Sequence, residues 1–192
     1  MFGNCAKNKK NWKQTSVQEL VDKGTLEKPL DGNHGEKHPV ASDYVNEGIP
    51  FIMANNLFDG KVDYSSCYFI KSEQAEKLDK GFAKPGDVLI THKGTIGRTA
   101  IVDDNFDYIM LTPQVTYYRI KNSLNKTFLK SYFDSSYFQT VMAMLALAQP
   151  ERILALRHRG ICRYCFRLLR FKNVLKISYC RLKNLKIKRG TD

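Results

Sequence analysis

The stretch over residues 84–102 constrains the fold more than any other part of the chain. Pro85-Gly86 suits the two central positions of a type II turn, because proline presets φ and glycine accepts a positive φ. The segments 87–91 and 98–102 follow this turn, and both are rich in β-branched and aliphatic residues. The pattern therefore predicts a chain reversal and then two strands that form a hairpin.

The loop that joins these two strands has the composition of a binding segment. Gly94 and Gly97 let the backbone approach another molecule closely, while Lys93, Thr95 and Arg98 offer hydrogen-bond donors to an anion. The alternative is a plain hairpin loop whose charged side chains are only solvated. These residues alone do not decide between the two interpretations.

The net charge of +12 is distributed unevenly along the chain. Residues 151–192 contain 13 Lys and Arg against 2 acidic residues, whereas residues 1–150 contain 18 against 17. A body that is nearly neutral must bind phosphates through a local patch, if it binds them at all. The basic segment alone would bind polyanions loosely and lose that binding as the salt concentration rises.

Length, hydropathy and cysteine usage predict the class and location of the protein. The 192 residues suffice for one domain with an appendage. The longest uninterrupted apolar run, 141–148, is far shorter than the ~20 residues that cross a bilayer, and the polar N-terminus lacks a signal-peptide core. Five irregularly spaced cysteines fit a reducing compartment. We expect a cytoplasmic protein that does not associate with membranes.

Capping and turn signals predict the secondary structure of the first half of the chain. Ser16 and Glu19 form a capping box, which predicts a short helix over 16–23. Turn-forming residues predict a loop over 30–44. Further predictions are a strand over 48–53, a two-residue turn at Asp59-Gly60, a strand over 67–70, and a helix over 73–80 capped by Ser72.

The second half ends in a helical pattern. Strands are predicted at 108–111 and 114–120, the latter with the alternation of a half-buried strand. Apolar residues at i, i+3 and i+4 spacings predict helical structure from 125 to about 147, with a break at Asp134-Ser135. The expected fold is α+β, a curled mixed sheet with short helices and a C-terminal helix. We expect one domain over 1–149 and a basic tail over 150–192.

Several short motifs follow one another in a fixed order between residues 12 and 149. They are Trp12 before the first helix, Asp31-Gly32-Asn33-His34-Gly35, Tyr44, Gly48-Ile49-Pro50-Phe51-Ile52, Asn55-Asn56-Leu57, Phe69-Ile70-Lys71-Ser72-Glu73, Gly86-Asp87-Val88-Leu89-Ile90-Thr91, Gly94-Thr95-Ile96-Gly97 and Tyr118-Arg119. In this order they resemble one target recognition domain of the DNA-specificity subunit of type I restriction-modification systems. Each motif is weak, but the ordered set is fairly specific.

The resemblance implies a non-catalytic domain that reads half of a split double-stranded DNA target. Methyltransferase and restriction subunits of the same system would be its partners and carry out the chemistry, and no cofactor is expected. A single domain of this kind would be a truncated specificity subunit, for which a homodimer could replace the missing half.

After Gln149 the sequence departs from the pattern of this family. A Pro-rich segment, a Glu-Gln pair and a long heptad helix are expected there, and none of them follows. Instead, residues 152–188 contain no Asp or Glu, which is unusual for an exposed coiled-coil helix. Our hypothesis is an out-of-frame or rearranged tail, helical by composition.

Base-reading residues follow from the groove chemistry of DNA. In the major groove, Arg or Lys suits guanine and Asn or Gln suits adenine. The candidate DNA-binding residues are Asn55, Asn56, Lys93, Thr95 and Arg98, with His34, Lys37 and His92 as nearby phosphate or base contacts. For each of them, a turn residue or a solvated side chain is the alternative interpretation.

Other nucleic-acid functions have weaker support. Residues 94–97 match the GXXG loop of KH domains, but that loop joins two helices and here both flanks are β-like. The basic tail could instead act as a nonspecific nucleic-acid arm, which is the main alternative function. Strong salt dependence without sequence preference would support that alternative.

Catalytic and metal sites have little support in the sequence. Asp31 with Asp59-Gly60-Lys61 is the one cluster that resembles a magnesium-dependent nuclease, and Asp-Gly is commoner as a hairpin turn. His158, Cys162, Cys165 and Cys180 are of zinc-ligand type, but the turn residues that build a zinc knuckle are mostly absent. We expect neither a catalytic site nor a bound metal.

Overall fold

The computed structural model describes residues 13–33, 35, 38–148, 167–171 and 174–178. Within these ranges the chain forms four α-helices, α1 (Val17–Asp22), α2 (Ser72–Glu76), α3 (Lys126–Phe133) and α4 (Ser136–Ala148), and two short 3-10 helices, Ala41–Asp43 and Ala54–Asn56. It also forms fourteen strands, β1 (Lys13–Thr15), β2 (Leu30–Asp31), β3 (Tyr44–Val45), β4 (Ile49–Ile52), β5 (Leu57–Phe58), β6 (Lys61–Val62), β7 (Tyr68–Ile70), β8 (Phe82–Ala83), β9 (Val88–Thr91), β10 (Thr99–Ile101), β11 (Ile109–Leu111), β12 (Val115–Tyr118), β13 (Arg167–Phe171) and β14 (Val174–Ser178).

Two sheets form the body of the protein. The first is antiparallel, with strand order β10-β9-β12-β2. The second is mixed, with order β3-β7-β4-β11-β8, and its one parallel pair is β4 with β11. The α+β class with short helices and helical structure from residue 126 is confirmed. The mixed sheet expected from the sequence is the second of these, and the antiparallel sheet packs against it.

Apolar side chains arrange these elements in layers. Leu89 of β9 lies between the two sheets, together with Ile52 and Leu111 of the second sheet. Val88 and Ile90 point the other way and pack against α1, α3 and α4. Helix α2 covers the outer face of the second sheet. Strand β9 is buried on both faces, which explains its nearly continuous apolar sequence.

The hairpin predicted from residues 84–102 is confirmed. Strands β9 and β10 are antiparallel, with Ile90 opposite Thr99. Before β9, the Asp87 amide donates to the Lys84 carbonyl at 3.0 Å and Gly86 has a φ of 89°, as a type II turn requires.

Several local predictions are also confirmed. Ser16 caps α1, and its hydroxyl accepts from the Glu19 amide at 3.1 Å in a full capping box. Asp59 and Gly60 have positive φ angles of 46° and 75°, which form the predicted hairpin turn between β5 and β6. The break between α3 and α4 falls at Asp134, the C-cap of α3, as predicted.

Three predictions need correction. Residues 30–31 lie in β2 and not in a loop, because pairing with β12 outweighs their turn chemistry. Ser72 is the first residue of α2 and does not cap it, and this helix ends at Glu76. Strand β12 is buried on both faces and not half-buried, since Tyr118 packs on Phe133 of α3 with ring centroids 5.0 Å apart.

The tail contributes strands where the structure describes it. β13 pairs antiparallel with both β1 and β14. These ten tail residues lie in strands, whereas a helix was the expectation from composition; the domain boundary at residue 150 stays a prediction. Trp12 and the four potential zinc ligands, His158, Cys162, Cys165 and Cys180, lie outside the described residues.

Candidate functional site

The loops that carry most of the candidate residues emerge at one end of the two sheets. Strands β4 and β11 run parallel with Ile52 opposite Leu111, so the chain leaves both strands at the same edge. The end of β9 lies opposite the start of β12, which follows β11 directly, and β2 ends beside it. This surface is termed the loop end and comprises residues 32, 33, 53–56, 92–98 and 112–114.

Hydrogen bonds tie the segments of the loop end together. The Arg98 guanidinium donates through Nη1 to the carbonyls of Asn55 at 3.4 Å and Leu57 at 3.2 Å. The Thr112 amide donates to the Ile52 carbonyl and the His92 amide to the Gln114 carbonyl, each at 3.0 Å. Segments distant in sequence therefore form one continuous surface, and Asn55, Lys93 and Arg98 lie on it together.

The tip of the loop end presents polar side chains to solvent. Asn55, Lys93 and Thr95 are exposed. Within the described part of the chain, none of their side chains makes a hydrogen bond or ion pair. Amide, ammonium and hydroxyl groups are therefore available to a ligand at a place where the backbone is fixed.

The base of the loop after β9 is held from two sides. The buried Thr91 hydroxyl donates to the Thr95 carbonyl and accepts from the Arg98 amide at 3.0 Å. From α4, the Gln139 side chain donates to the carbonyls of Gly97 at 2.8 Å and Phe133 at 2.7 Å. These contacts fix both ends of the loop and leave its tip, residues 93–95, exposed.

The two glycines of this loop have different surroundings. Gly97 has a φ of 86°, and a Cβ there would lie 2.3 Å from Gln139 Oε1. Gly94 has a φ of 70°, but the nearest atom to its Cβ position is Gln114 Nε2 at 4.0 Å. The positive φ favours glycine at both positions, and at position 97 a Cβ would in addition displace the Gln139 side chain from its hydrogen bonds.

Asn56 lies on the loop end but faces the interior. Its side chain is 1% exposed. Its Oδ1 accepts from the Met53 amide at 2.9 Å, and its Nδ2 donates to the Ser66 hydroxyl at 3.1 Å. The amide that the sequence suggested for base reading thus supports the loop that carries Asn55, and we leave Asn56 out of the proposed reading surface.

His92 is also buried, beneath the exposed tip. The Thr116 hydroxyl donates to Asp31 Oδ1 at 2.7 Å, and therefore accepts from His92 Nδ1 at 3.0 Å. Asp31 Oδ2 lies 3.5 Å from His92 Nε2 and favours the charged ring. Burial, with Lys93 as the next cause, nevertheless lowers the pKa of His92 to about 4, and a hydrogen bond with the Pro113 backbone opposes this shift only in part. A neutral, buried ring does not contact phosphate.

The remaining two candidates, His34 and Lys37, lie outside the described residues. Sequence reasoning also missed one residue of the loop end, Gln114. The sequence pattern predicts that Gln114 begins a strand, yet the structure puts it in the tight turn before β12, with its side chain exposed. The preceding proline was the available signal, because proline is favoured in turns.

A polar groove of about 450 Å³ lies beside the loop end, lined by Phe58, Arg98, Lys130, Asp134 and others. Lys130 and Asp134 form an ion pair at 2.7 Å. Phe58 is 68% exposed at the rim. The groove thus combines an aromatic ring with paired charges, and the described residues contain no group of three His, Cys, Asp or Glu that could hold a metal ion.

The structure also bears on two alternative functions. Residues 94–97 join the strands β9 and β10, so this segment is not the helix-joining loop of a KH domain. Asp31 is 2% exposed and bonded to Thr116, whereas Asp59 is exposed in the β5–β6 turn. These two carboxylates do not form the nuclease-like cluster considered from the sequence.

Comparison with known proteins gave structural matches only. The sequence matches no protein-family model and is similar to no curated protein. One similar solved structure comes from work on complex assembly and conformational transition of the type I restriction-modification system, at 16% identity and a TM-score of 0.48. Another is the HsdS subunit from Thermoanaerobacter tengcongensis, at 15% identity and the same TM-score.

Both are type I restriction-modification proteins. Each match covers 78% of this chain and 40% of the other, so this chain spans less than half the length of the proteins that it resembles. In the described ranges, no helix is long and apolar enough to span a bilayer.

Proposed function

We propose that this chain recognises a short sequence in double-stranded DNA, as half of a type I restriction-modification specificity subunit. The observation that supports this proposal is the loop end, where Asn55, Lys93, Thr95 and Arg98 lie on one connected surface. Amide groups match the edge of adenine and cationic groups match that of guanine, so this set suits base reading in the major groove.

The charge distribution agrees with this proposal. Residues 1–150 are nearly neutral, so the domain depends on local contacts at the loop end for binding. A recognition domain in a larger complex can rely on its partners for nonspecific attraction to DNA. We propose methyltransferase and restriction subunits as these partners, with no catalytic group contributed by this chain.

Selection from a randomised duplex library tests the proposal. The full chain is incubated with the library at moderate salt, with a polyanion competitor present to suppress binding through the basic tail. Enrichment of a short fixed motif is the expected result. Uniform recovery of all sequences would contradict the proposal.

A second candidate function is nonspecific binding of nucleic acid by the tail. The net charge of +11 over residues 151–192 favours it. Binding of this kind weakens steeply with salt and does not depend on sequence. Affinities measured for the selected and a scrambled duplex over a salt series separate the two functions, because only base reading leaves a difference that persists at high salt.

We also propose that two copies of the chain can pair, so that each supplies half of the recognition surface. Light scattering in the presence of the selected duplex would then give the mass of two chains, and the library would return two copies of the motif at a fixed spacing. A single chain bound to a single motif would contradict pairing without affecting the recognition proposal.

A further inference from the structure

Gln114 occupies the centre of the loop end. Its turn is closed by a hydrogen bond from the Val115 amide to the Thr112 carbonyl at 3.1 Å. On one side, the Thr112 amide bonds to the Ile52 carbonyl of β4, whose chain continues to Asn55; on the other, the Gln114 carbonyl accepts from the His92 amide. The turn therefore lies between the two loops proposed to read DNA.

The backbone at this position is rigid. Pro113 fixes one φ angle of the four-residue turn, one hydrogen bond closes the turn, and two more hold it against both sheets. Strand β12, which begins at the next residue, is fully buried. A side chain carried by such a turn loses little backbone freedom on binding, which favours affinity.

The Gln114 side chain is exposed and uncommitted. Within the described residues, its amide has no hydrogen-bond partner. Its Nε2 lies beside the loop after β9, 4.0 Å from the position that a Cβ at Gly94 would occupy. Both the donor and the acceptor of the amide are therefore available to a ligand that approaches the loop end.

We propose that Gln114 is a specificity-determining residue that reads one adenine of the DNA target through the major groove. This inference rests on the proposed function. A glutamine amide accepts from adenine N6 and donates to adenine N7, a two-point contact that no other base offers with the same polarity. Gln114 thus adds a rigid, central contact to the outer contacts of Asn55 and Lys93.

The test combines a protein variant with a base analogue. Each adenine of the selected motif is replaced in turn by 7-deazaadenine, which lacks the N7 acceptor, and affinity is measured for the wild-type chain and for Gln114→Ala. We expect one position at which the analogue weakens wild-type binding roughly tenfold, whereas the variant no longer distinguishes the two bases there.

A matched control is Gln18→Ala. Gln18 is an exposed glutamine on α1, where its amide donates to Asp22 at 2.6 Å. This variant should retain the wild-type response to 7-deazaadenine at every position. Circular dichroism and urea unfolding of both variants check that the fold is preserved, which we expect because both side chains are exposed.

The outcomes distinguish a failure of the Gln114 inference from a failure of the proposed DNA recognition on which it rests. If the library returns no motif, both fail. If a motif is found but it contains no adenine, or if Gln114→Ala and the wild-type chain respond alike to 7-deazaadenine at every position, Gln114 is not a reading residue. In these latter cases the proposed function stands without it.

Discussion

An arginine lies near each end of the β9–β10 hairpin, Arg98 just before β10 and Arg119 just after β12, and the two arginines are used differently. At the end formed by residues 84–87 and 119–122, here termed the turn end, Arg119 donates to both oxygens of Asp87, at 3.0 and 2.7 Å. It also donates to the Phe82 carbonyl at 2.8 Å. At the loop end, Arg98 donates to two carbonyls, at 3.2 and 3.4 Å, and makes no ion pair with a carboxylate of the described residues.

This difference separates a structural cation from one available to a ligand. Asp87 is 2% exposed and also accepts from the Lys84 amide, so Arg119 neutralises a buried carboxylate that closes the type II turn. Arg98 holds the loop that carries Asn55 through its two carbonyl contacts. Because no carboxylate in the described part of the chain engages its guanidinium, the remaining N–H groups are available to a ligand. The motifs Gly86-Asp87 and Tyr118-Arg119 thus maintain the fold, whereas residues 93–95 present polar groups to solvent.

The largest expected effect is on stability, at the turn end. Arg119→Ala leaves the Asp87 carboxylate buried without its partner and should lower the free energy of unfolding by about 3 kcal/mol. Urea unfolding monitored by circular dichroism measures this change. Arg98→Ala is the matched variant and should cost less than about 1 kcal/mol. Equal losses for the two variants would show that both arginines are structural.

The buried base of the loop end should respond to pH. The pKa of His92 is lowered in the folded state from 6.5 to about 4, so the unfolded chain binds a proton more readily below pH 6.5. Stability should therefore fall as the pH drops, by about 2 kcal/mol between pH 7 and pH 5.

The comparison that isolates this effect is a His92→Asn variant measured over the same pH range. Its stability should change less between pH 7 and pH 5 than that of the wild-type chain. If the two chains lose stability in parallel, another group is responsible, and His92 is charged or exposed at the loop end in solution.

Glycine substitutions should distinguish the anchored base of the loop from its tip. Gly97→Ala combines a positive φ with a Cβ only 2.3 Å from Gln139 Oε1, and should cost about 2 kcal/mol of stability and weaken DNA binding. Gly94→Ala meets no close atom and should cost about 1 kcal/mol. Urea unfolding of both variants measures the two losses of stability. A larger loss for Gly94→Ala than for Gly97→Ala would show that position 94, and not position 97, is the anchored part of the loop.

The smallest expected effect on stability accompanies a clear effect on binding. Lys93→Ala should change the free energy of unfolding by less than about 0.5 kcal/mol, since its side chain is exposed and has no partner in the described ranges. Affinity for the selected duplex should fall roughly tenfold, with the loss concentrated at one guanine of the motif. A loss of equal size on scrambled DNA would make Lys93 a phosphate contact instead.

Local signals predicted the hairpin well, because the Pro85-Gly86 turn and the glycine loop specify their own backbone conformations. The same signals could not predict which polar residues are buried. Asn55 and Asn56 are adjacent and chemically identical, yet only Asn56 turns inward, where its side chain forms hydrogen bonds with the Met53 amide and the Ser66 hydroxyl. The burial of His92 likewise depends on Asp31 and Thr116, which are distant in sequence.

Gln114 is the opposite case, an exposed residue of the loop end that the sequence did not indicate as a candidate. Its alternation with neighbouring residues indicated a strand, and only the pairing of β4 with β11 places its turn between the loops that carry Asn55 and Lys93. Topology of this kind is set by nonlocal pairing, which a pattern within a short window does not contain.

The most direct test of the central claim compares charge removal at the two ends. Fluorescence anisotropy with the selected and a scrambled duplex is measured for Lys93→Ala/Arg98→Ala and for Lys84→Ala/Lys126→Ala, which removes two exposed cations near the turn end. The account predicts that the loop-end variant loses its preference for the selected duplex while the turn-end variant keeps it. Retained preference in the loop-end variant, or its loss in the turn-end variant, would contradict the account.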